Sequence, residues 1–212
     1  MIDAVLWDFG GVFTASPIEG LRTYGAQLGV DGDRLFELMF GPYGADTDHP
    51  WHRVERGEET LDVALQAALD AVQAAGVEGF DPAAVFTILG SGHAAAREAV
   101  VQTVRELKAG GIRHAIVTNN LQEMADSWRA LIPVDELFDT VVDSSVEGVR
   151  KPNPAIYRLA LDRLGVDADR AAFLDDIESN VEGARAVGIH GIVVGADPAP
   201  ALGELAALIA AG

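Results

Sequence analysis

The sequence predicts an α/β fold, a doubly wound parallel sheet with a helical segment inserted after its first strand. Three observations indicate this fold. Short apolar runs recur along the chain, helix-length amphipathic patterns separate most of them, and one long stretch holds helical patterns without a convincing strand. Strands that alternate with helices pair in parallel through right-handed crossovers, which places helices on both faces of the sheet.

Five short apolar runs are the predicted strands. The first, residues 4–9 (AVLWDF), is interrupted by one acid and followed by two glycines, a pattern typical of a buried strand that ends in a turn. A run at residues 112–117 precedes a threonine and two asparagines, and a run at 171–174 precedes two aspartates. The remaining strands are predicted at residues 141–142 and 190–194.

Helical patterns separate these strands. Gly165 and Gly188 follow two of the patterns and suit the C-terminal ends of helices. The helices are predicted at residues 94–108, 121–131, 154–164 and 179–187, with a last surface helix at 199–211.

The stretch after the first strand breaks the alternation. Four helical patterns occur there, and a loop rich in Gly, Pro and Asp lies at residues 41–51. We therefore divide the chain into a core of residues 1–15 and 91–212 and a helical insertion of residues 16–90. The helices of the insertion are predicted at residues 18–28, 34–40, 61–75 and 82–89.

The composition limits the class of partner. The chain has 212 residues, of which 49% are hydrophobic, and a formal net charge of −18. This charge argues against nucleic acid, which is bound largely through Lys and Arg. No apolar run approaches the ~20 residues that span a bilayer, and no secretory signal is evident. The absence of cysteine excludes disulfides and thiolate chemistry. We expect a cytoplasmic protein with a small-molecule partner.

Polar residues follow three of the predicted strands. Asp8 ends the first, Thr118 follows the second, and Asp175 and Asp176 follow the fourth. Ligands of open parallel sheets bind beyond the carboxyl ends of the strands, so these residues are expected to converge. Lys151 precedes a predicted helix that Pro152 and Pro154 help to start, and it is a fourth candidate.

The residue types fit a metal-assisted reaction. Neighbouring carboxylates repel one another unless a cation neutralises them, so Asp8, Asp175 and Asp176 suggest a hard metal such as Mg²⁺. A carboxylate also acts as a covalent nucleophile toward phosphorus or carbon. Thr118 and the amides after it suit phosphate oxygens, and Lys151 suits the negative charge of a transition state.

Four ordered stretches resemble motifs of the haloacid dehalogenase superfamily, whose commonest members are Mg²⁺-dependent phosphatases. They are residues 7–17 (WDFGGVFTASP), 116–120 (IVTNN), 148–157 (GVRKPNPAIY) and 173–188 (FLDDIESNVEGARAVG). The resemblance covers most of the chain outside the helical insertion. It implies a Rossmann-like core in which the insertion is a mobile cap. Local sequence is most similar to the phosphatase domain of soluble epoxide hydrolases and to sugar-phosphate phosphatases.

The resemblance also implies a role for each motif. Asp8 would form an aspartyl-phosphate, and Lys151 would neutralise negative charge. Thr118, with Asn119 and Asn120, would bind the phosphoryl group of a small phosphorylated substrate.

The metal ligands implied for Mg²⁺ are Asp8, Asp176 and the backbone carbonyl of Gly10. Asp175 would contribute through water or by holding Lys151. Most phosphatases of the superfamily carry a second Asp where this chain has Gly10. That Asp protonates the leaving group, and such a group supplies ~10²–10⁴-fold in rate. The carbonyl of Gly10 retains the metal ligand, so turnover is in question more than Mg²⁺ binding.

Gly10 leaves three functions open. A phosphatase without the second Asp would favour good leaving groups such as acyl or aryl phosphates. The 2-haloacid dehalogenases of the superfamily also lack this residue, but they need no metal and leave the acidic pair unexplained. The third alternative is a catalytically weakened protein that binds a phosphate ligand.

The helical insertion offers two further candidates. His52 and Arg53 are predicted to contact substrate, with His52 as a candidate for the missing acid. The alternative is that they begin a helix whose core contains Trp51. Glu55 is expected on a solvated face. The three histidines His93, His114 and His190 have no metal-ligand spacing and are expected to be structural.

Overall fold

The computed structural model describes residues 1–91 and 96–211. All five predicted strands are present, and every pair of neighbours is parallel. The doubly wound α/β fold predicted from the sequence is thereby confirmed. The strands are β1 Ala4–Trp7, β2 Arg113–Thr118, β3 Thr140–Asp143, β4 Ala171–Asp175 and β5 His190–Val193.

The strand order is β3-β2-β1-β4-β5, so the first strand lies in the middle of the sheet. Trp7 pairs with Ile116 on one side and with Leu174 on the other. Asp8 and Asp175 are the next residues along their strands, so the register brings their carboxylates to the same level. The amide of Asp8 donates to the carbonyl of Leu174 at 2.8 Å and continues the ladder past the end of β1.

The helices of the described chain cover both faces of the sheet and form the insertion. They are α1 Pro17–Gln27, α2 Gly32–Phe40, α3 Pro50–Glu55, α4 Leu61–Ala74, α5 Pro82–Ser91, α6 Glu98–Ala109, α7 Ala125–Arg129, α8 Val134–Leu137, α9 Ser144–Glu147, α10 Pro154–Leu164, α11 Glu178–Ala186 and α12 Ala199–Ala210. None of them is long and apolar enough to cross a bilayer.

The alternation of side chains along β1 builds two cores. Val5 and Trp7 pack in one hydrophobic cluster, with residues of α6 and α12, whereas Ala4 and Leu6 pack in a second, with residues of α10 and α11. Successive side chains of a strand point to opposite faces, so a strand buried on both faces is apolar throughout. The central strand is therefore fixed from both sides, which makes its carboxyl end a rigid support.

The helical insertion has its own core. Apolar residues of α1 to α5 pack around Leu35, Trp51 and Val72 in a third cluster. The first turn of helix α3 lies where a loop was expected, and the helix agrees with the alternative of a helix start around Trp51. Pro50 occupies the first turn, and the His49 side chain caps it by accepting a hydrogen bond from the amide of Trp51 at 3.2 Å.

The helix predicted at residues 121–131 is wrong in its first half. A 3₁₀ turn, Gln122–Met124, precedes the short helix α7. Leu121 packs in the cluster of the helical insertion, whereas Trp128 packs in a cluster of the sheet. One continuous helix is not formed, because its apolar residues serve two separate cores. The predicted start of the preceding helix at Ala94, like His93, lies outside the described residues.

Candidate active site

Three distant segments meet at one ammonium group. Lys151 Nζ lies 2.7 Å from Asp8 Oδ1 and 2.6 Å from Asp175 Oδ2. The side chains are almost completely buried, at 1% exposure for Lys151, 9% for Asp8 and none for Asp175. Charge-assisted hydrogen bonds of this length fix the mutual orientation of the groups. The structure thus brings these three residues together.

Asp175 is held on every side. Its Oδ1 accepts from the amide of Ile177 at 2.8 Å, and the Asn180 side-chain amide donates to both carboxylate oxygens. Tyr157 donates in turn to the backbone carbonyl of Asn180 at 2.6 Å. With Lys151 as a further donor, the Asp175 carboxylate is a fixed acceptor that positions the ammonium beside Asp8.

The charges in this cluster do not balance. Burial raises the pKa of Asp8 from 3.8 to about 8; the Lys151 ammonium opposes this rise, and the carboxylates of Asp175 and Asp176 add to it. Burial alone would lower the pKa of Lys151, but Asp175 and Asp8 outweigh it and hold that pKa above its usual value. One ammonium therefore faces a surplus of carboxylate charge, and the cluster attracts a further cation.

Asp176 completes a group of three carboxylates. Oxygen atoms of Asp8, Asp175 and Asp176 all lie within 4.8 Å of one another. Burial raises the pKa of Asp176 to about 6, and the nearby Asp175 adds to the rise. Gly11, at φ +75°, lets the backbone pass close to this group, because a Cβ there would lie 2.2 Å from the Asp176 carboxyl carbon. Any side chain at residue 11 would displace Asp176.

The residues after β2 lie beside the cluster. Thr118 is 5% exposed and lines the cavity in front of Asp8. The Asn119 side chain accepts from the amide of Lys151 at 2.8 Å and donates to its carbonyl at 3.1 Å. Asn120 donates to Asp143 at 2.8 Å. The two asparagine side chains thus hold neighbouring loops, and Asn119 also lines the cavity.

Gly10 lies at the wall of the cavity with open space around it. A Cβ at this position would meet no other atom within 4 Å, and the backbone does not require glycine. Steric crowding therefore does not explain why this position lacks a carboxylate.

A cavity of about 130 Å³ opens in front of Asp8. A second cavity of about 160 Å³ shares Gly10, Tyr43 and Trp51 with it. The charged and amide side chains of the first cavity come from strand ends, loops and α11 of the core, whereas the helical insertion supplies an apolar wall. This apolar wall consists of Ile18, Leu21, Phe36, Phe40, Tyr43 and Trp51.

A buried ion pair ties the helical insertion to the segment of Lys151. Arg150 Nε lies 2.6 Å from Glu55 Oε2, and the two side chains are 0% and 4% exposed. Glu55 Oε1 accepts from the Tyr43 hydroxyl at 2.5 Å and from the Trp51 indole at 3.0 Å. The expectation that Glu55 is solvated is therefore wrong. Glu55 follows Trp51 by four residues, and this spacing on one face of α3 was the available signal.

The structure does not bring His52 and Arg53 to the cavity. The His52 side chain is fully buried, and its Nδ1 accepts from the amide of Thr47 at 3.1 Å. Burial lowers the pKa of His52 to about 4, with the Arg150 charge adding to the effect, so the imidazole is neutral near pH 7. Arg53 lies 3.6 Å from Glu59 at the surface. Their position matches the alternative of a helix start around Trp51.

His114 and His190 occupy separate positions away from the cluster. The buried Nδ1 of His114 accepts from the Trp7 indole at 3.0 Å, and burial lowers its pKa to about 4. His190 is exposed, with its Nε2 3.0 Å from the carbonyl of Asp169.

Glu55→Gln is expected to lower the free energy of unfolding by about 3–5 kcal/mol, because it leaves the buried Arg150 charge without its partner. Urea denaturation of the two proteins measures this difference. Glu58→Gln is the matched control, since Glu58 is 45% exposed and its partner Arg56 keeps the carboxylate of Asp46. Its cost should stay within about 1 kcal/mol. Equal costs for the two variants would contradict the importance of the buried pair.

The haloacid dehalogenase-like hydrolase family matches residues 2–188 of this chain. The match covers most of the chain, including the four motifs and the helical insertion. The chain therefore belongs to the haloacid dehalogenase-like hydrolases.

Curated relatives extend this finding. Acyl-CoA dehydrogenase family member 10 of Mus musculus is 32% identical over 97% of this chain, which spans 19% of that protein. Bifunctional epoxide hydrolase 2 of Rattus norvegicus is 29% identical over 94% of the chain, which spans 37% of that protein. Sesquiterpene phosphatase astK of Aspergillus oryzae is 28% identical over 89% of the chain and is covered to 88%. The chain thus spans well under half of the first two.

Solved structures share the fold. A crystal structure of a dehalogenase superimposes with a TM-score of 0.66 at 19% identity and covers 98% of this chain and 96% of its own. A family enzyme from Bacteroides thetaiotaomicron, in complex with magnesium and inorganic phosphate, superimposes with a TM-score of 0.61 at 19% identity. The match covers 92% of this chain and 96% of that enzyme. Both structures therefore share the overall fold of this chain.

Proposed function

We propose that this hydrolase is a Mg²⁺-dependent phosphatase of a small phosphorylated metabolite, which acts through an aspartyl-phosphate on Asp8. The observation that carries the proposal is the cluster in front of the sheet. Asp8 lies 2.7 Å from Lys151 and shares a 4.8 Å group with Asp175 and Asp176. A buried carboxylate beside a fixed ammonium suits attack on a phosphoryl group, whose charge the ammonium stabilises.

The donor set fits Mg²⁺. All three side chains offer carboxylate oxygens, the ligands that this hard cation prefers, and the single ammonium leaves negative charge uncompensated. Asp8, Asp176 and the carbonyl of Gly10 would hold the ion. Asp175 has both oxygens engaged by other donors, which supports a positioning role for it. When bound, the cation neutralises charge that develops on the transferred phosphoryl group.

The other residues have roles that follow from their positions. Lys151 would stabilise the phosphoryl oxygens, and Thr118 would donate to them from the end of β2. Asn119 holds the backbone of Lys151 and would keep the ammonium in register with Asp8. Asn120 holds Asp143 and would support the phosphate-binding loop. The helical insertion at 16–90 would act as the cap over the core at 1–15 and 91–212, because its helices pack on one another and wall the cavity.

The comparisons support a phosphatase at the level of the family. Sesquiterpene phosphatase astK is a phosphatase by name, and the structure from Bacteroides thetaiotaomicron contains magnesium and inorganic phosphate. Dehalogenation of a 2-haloacid is the second candidate, because Gly10 lacks the usual acid and a dehalogenase shares the fold. In that reaction Asp8 would attack carbon. The acidic group of Asp175 and Asp176 would then have no metal to hold.

Removal of divalent metal distinguishes the two reactions. We expect the purified protein with Mg²⁺ to release phosphate from acetyl phosphate or 4-nitrophenyl phosphate, and EDTA to lower the rate by at least about 10²-fold, since the metal contributes several kcal/mol to the transition state. Excess Mg²⁺ should restore it. Halide release from a 2-haloacid that survives EDTA would instead establish the dehalogenase. Mg²⁺-dependent phosphate binding without turnover would indicate a weakened binding protein.

A further inference from the structure

The cavity in front of Asp8 has two chemically different halves. The core contributes charged and polar groups, among them Asp8, Thr118, Lys151 and Asp176, which suit a phosphoryl group. The apolar wall defined above faces them from the helical insertion. The part of a substrate that extends away from phosphorus therefore meets carbon surface.

The two polar atoms of the apolar wall are already engaged. The Tyr43 hydroxyl donates to Glu55 at 2.5 Å, and the Trp51 indole donates to the same oxygen at 3.0 Å. The Glu55 carboxylate also accepts from Arg150 through its other oxygen, so both of its oxygens are engaged. Among the described residues that line this wall, these bonds leave aromatic and aliphatic carbon toward the cavity. Sugar hydroxyls buried there would lose hydrogen bonds to water without replacement.

The cavity limits the substrate to a small molecule. Its volume is about 130 Å³, and the phosphoryl group occupies the polar half of the same space. Phe36, Phe40 and Trp51 provide aromatic faces and edges, which favour an aromatic ligand over an aliphatic one of equal area.

Gly10 restricts the leaving group independently of the wall. A carboxylic acid at residue 10 would donate a proton to the departing oxygen, and glycine donates none. The burial of Tyr43 against Glu55 holds the pKa of its hydroxyl well above the usual value, so this phenol is a poor acid. The departing oxygen must carry its own negative charge, which phenolates and carboxylates do far better than alkoxides.

We propose that the substrate is a small aryl or aroyl phosphate, whose leaving group is an aromatic phenolate or carboxylate. The proposal rests on the proposed phosphatase function. Asp8 attacks phosphorus, the bond from phosphorus to the leaving oxygen breaks, and its electron pair leaves as the aromatic anion. Water then attacks phosphorus and regenerates Asp8, with the proton of the water passing to solvent. The products are phosphate and the aromatic phenol or acid, each in its ordinary state of ionisation.

Matched pairs of substrates test the apolar wall and the acidity of the leaving group separately. Benzoyl and acetyl phosphate have leaving groups of similar acidity, and only the first carries a ring. We expect kcat/KM for benzoyl phosphate to be at least about tenfold higher, because the ring is buried against the apolar wall. Phenyl phosphate and benzyl phosphate both carry a ring and differ in the acidity of the leaving group, and the phenyl ester should react at least about 10²-fold faster.

Equal kcat/KM for benzoyl and acetyl phosphate, or sugar phosphates hydrolysed as fast as aryl phosphates, would overturn the substrate class and leave the phosphatase intact. A protein that releases phosphate from none of these compounds with Mg²⁺ would overturn the proposed function itself.

A variant of the apolar wall gives an independent test. Phe36→Gln places an amide where the ring of Phe36 lines the cavity, and we expect the benzoyl-to-acetyl ratio of kcat/KM to fall at least about fivefold, because apolar contact area is lost. Leu65→Gln is the matched control, since Leu65 is partly buried in the same insertion without lining this cavity. Equal ratios in the wild type and both variants would exclude the apolar wall from substrate recognition.

Discussion

Asp8→Asn is expected to lower the rate of phosphate release from 4-nitrophenyl phosphate by at least about 10³-fold, or ~4 kcal/mol of barrier. An amide is a very poor nucleophile toward phosphorus, so the variant cannot form the covalent intermediate. Binding and electrostatic stabilisation by Lys151 remain, but they act on a reaction that no longer has its attacking group. Steady-state phosphate release, measured in excess Mg²⁺, gives the ratio.

The same variant is expected to keep its stability. Asp8 is one of three clustered carboxylates that face a single ammonium, so its charge is repelled as well as attracted. Asn at this position relieves the repulsion, and Lys151 retains Asp175. Thermal unfolding without metal should therefore be unchanged or shifted upward, whereas the rise in Tm caused by Mg²⁺ should shrink. An exposed control, Asp62→Asn in α4, should change neither the activity nor the rise in Tm caused by Mg²⁺. Full activity in Asp8→Asn would rule out the proposed nucleophile.

Gly10→Asp is expected to raise turnover of poor leaving groups by about 10²–10⁴-fold, the range that a well-placed general acid supplies. The structure leaves room for the new side chain, because no atom lies within 4 Å of a Cβ at this position. Hexyl phosphate should gain most, since its alkoxide needs a proton. The gain for 4-nitrophenyl phosphate should be small, because its phenolate departs without help.

The dependence of kcat/KM on leaving-group acidity, measured over a series of alkyl and aryl phosphates, should thus be steep in the wild type and shallow in Gly10→Asp. Gly203→Asp adds a carboxylate at an equally open glycine of α12 and serves as the control. Identical slopes in wild type and Gly10→Asp would show that proton transfer is not what the chain lacks.

The sequence predicted the strands, which follow from hydrophobic periodicity, and the polar residues that lie at the ends of those strands. Five apolar runs became five strands, and residues after three of them met in one place, because parallel strands end at the same edge of a sheet. The pairing of Lys151 with Asp8 and Asp175 required the family resemblance as well, since nothing in the RKPNP segment alone indicates where its side chains lie.

Long-range contacts explain what the sequence did not predict. Glu55 belongs to a run of charged residues that resembles a solvated face, and its burial depends on Arg150, which is 95 residues away. Leu121 and Trp128 have helical spacing, but they pack in different cores. In each case local pattern was overridden by a partner that only the folded chain brings near.

The Arg150–Glu55 pair has a consequence for the passage of substrate. Removing one partner leaves the other charge buried and unpaired. Separating the helical insertion from the core would instead expose both ions to water at once. Their recovered solvation would offset much of the lost attraction. The pair would thus define one register of the helical insertion on the core without making an open arrangement costly. Added salt screens charges in water more than charges in the interior, so raised ionic strength should favour the open arrangement.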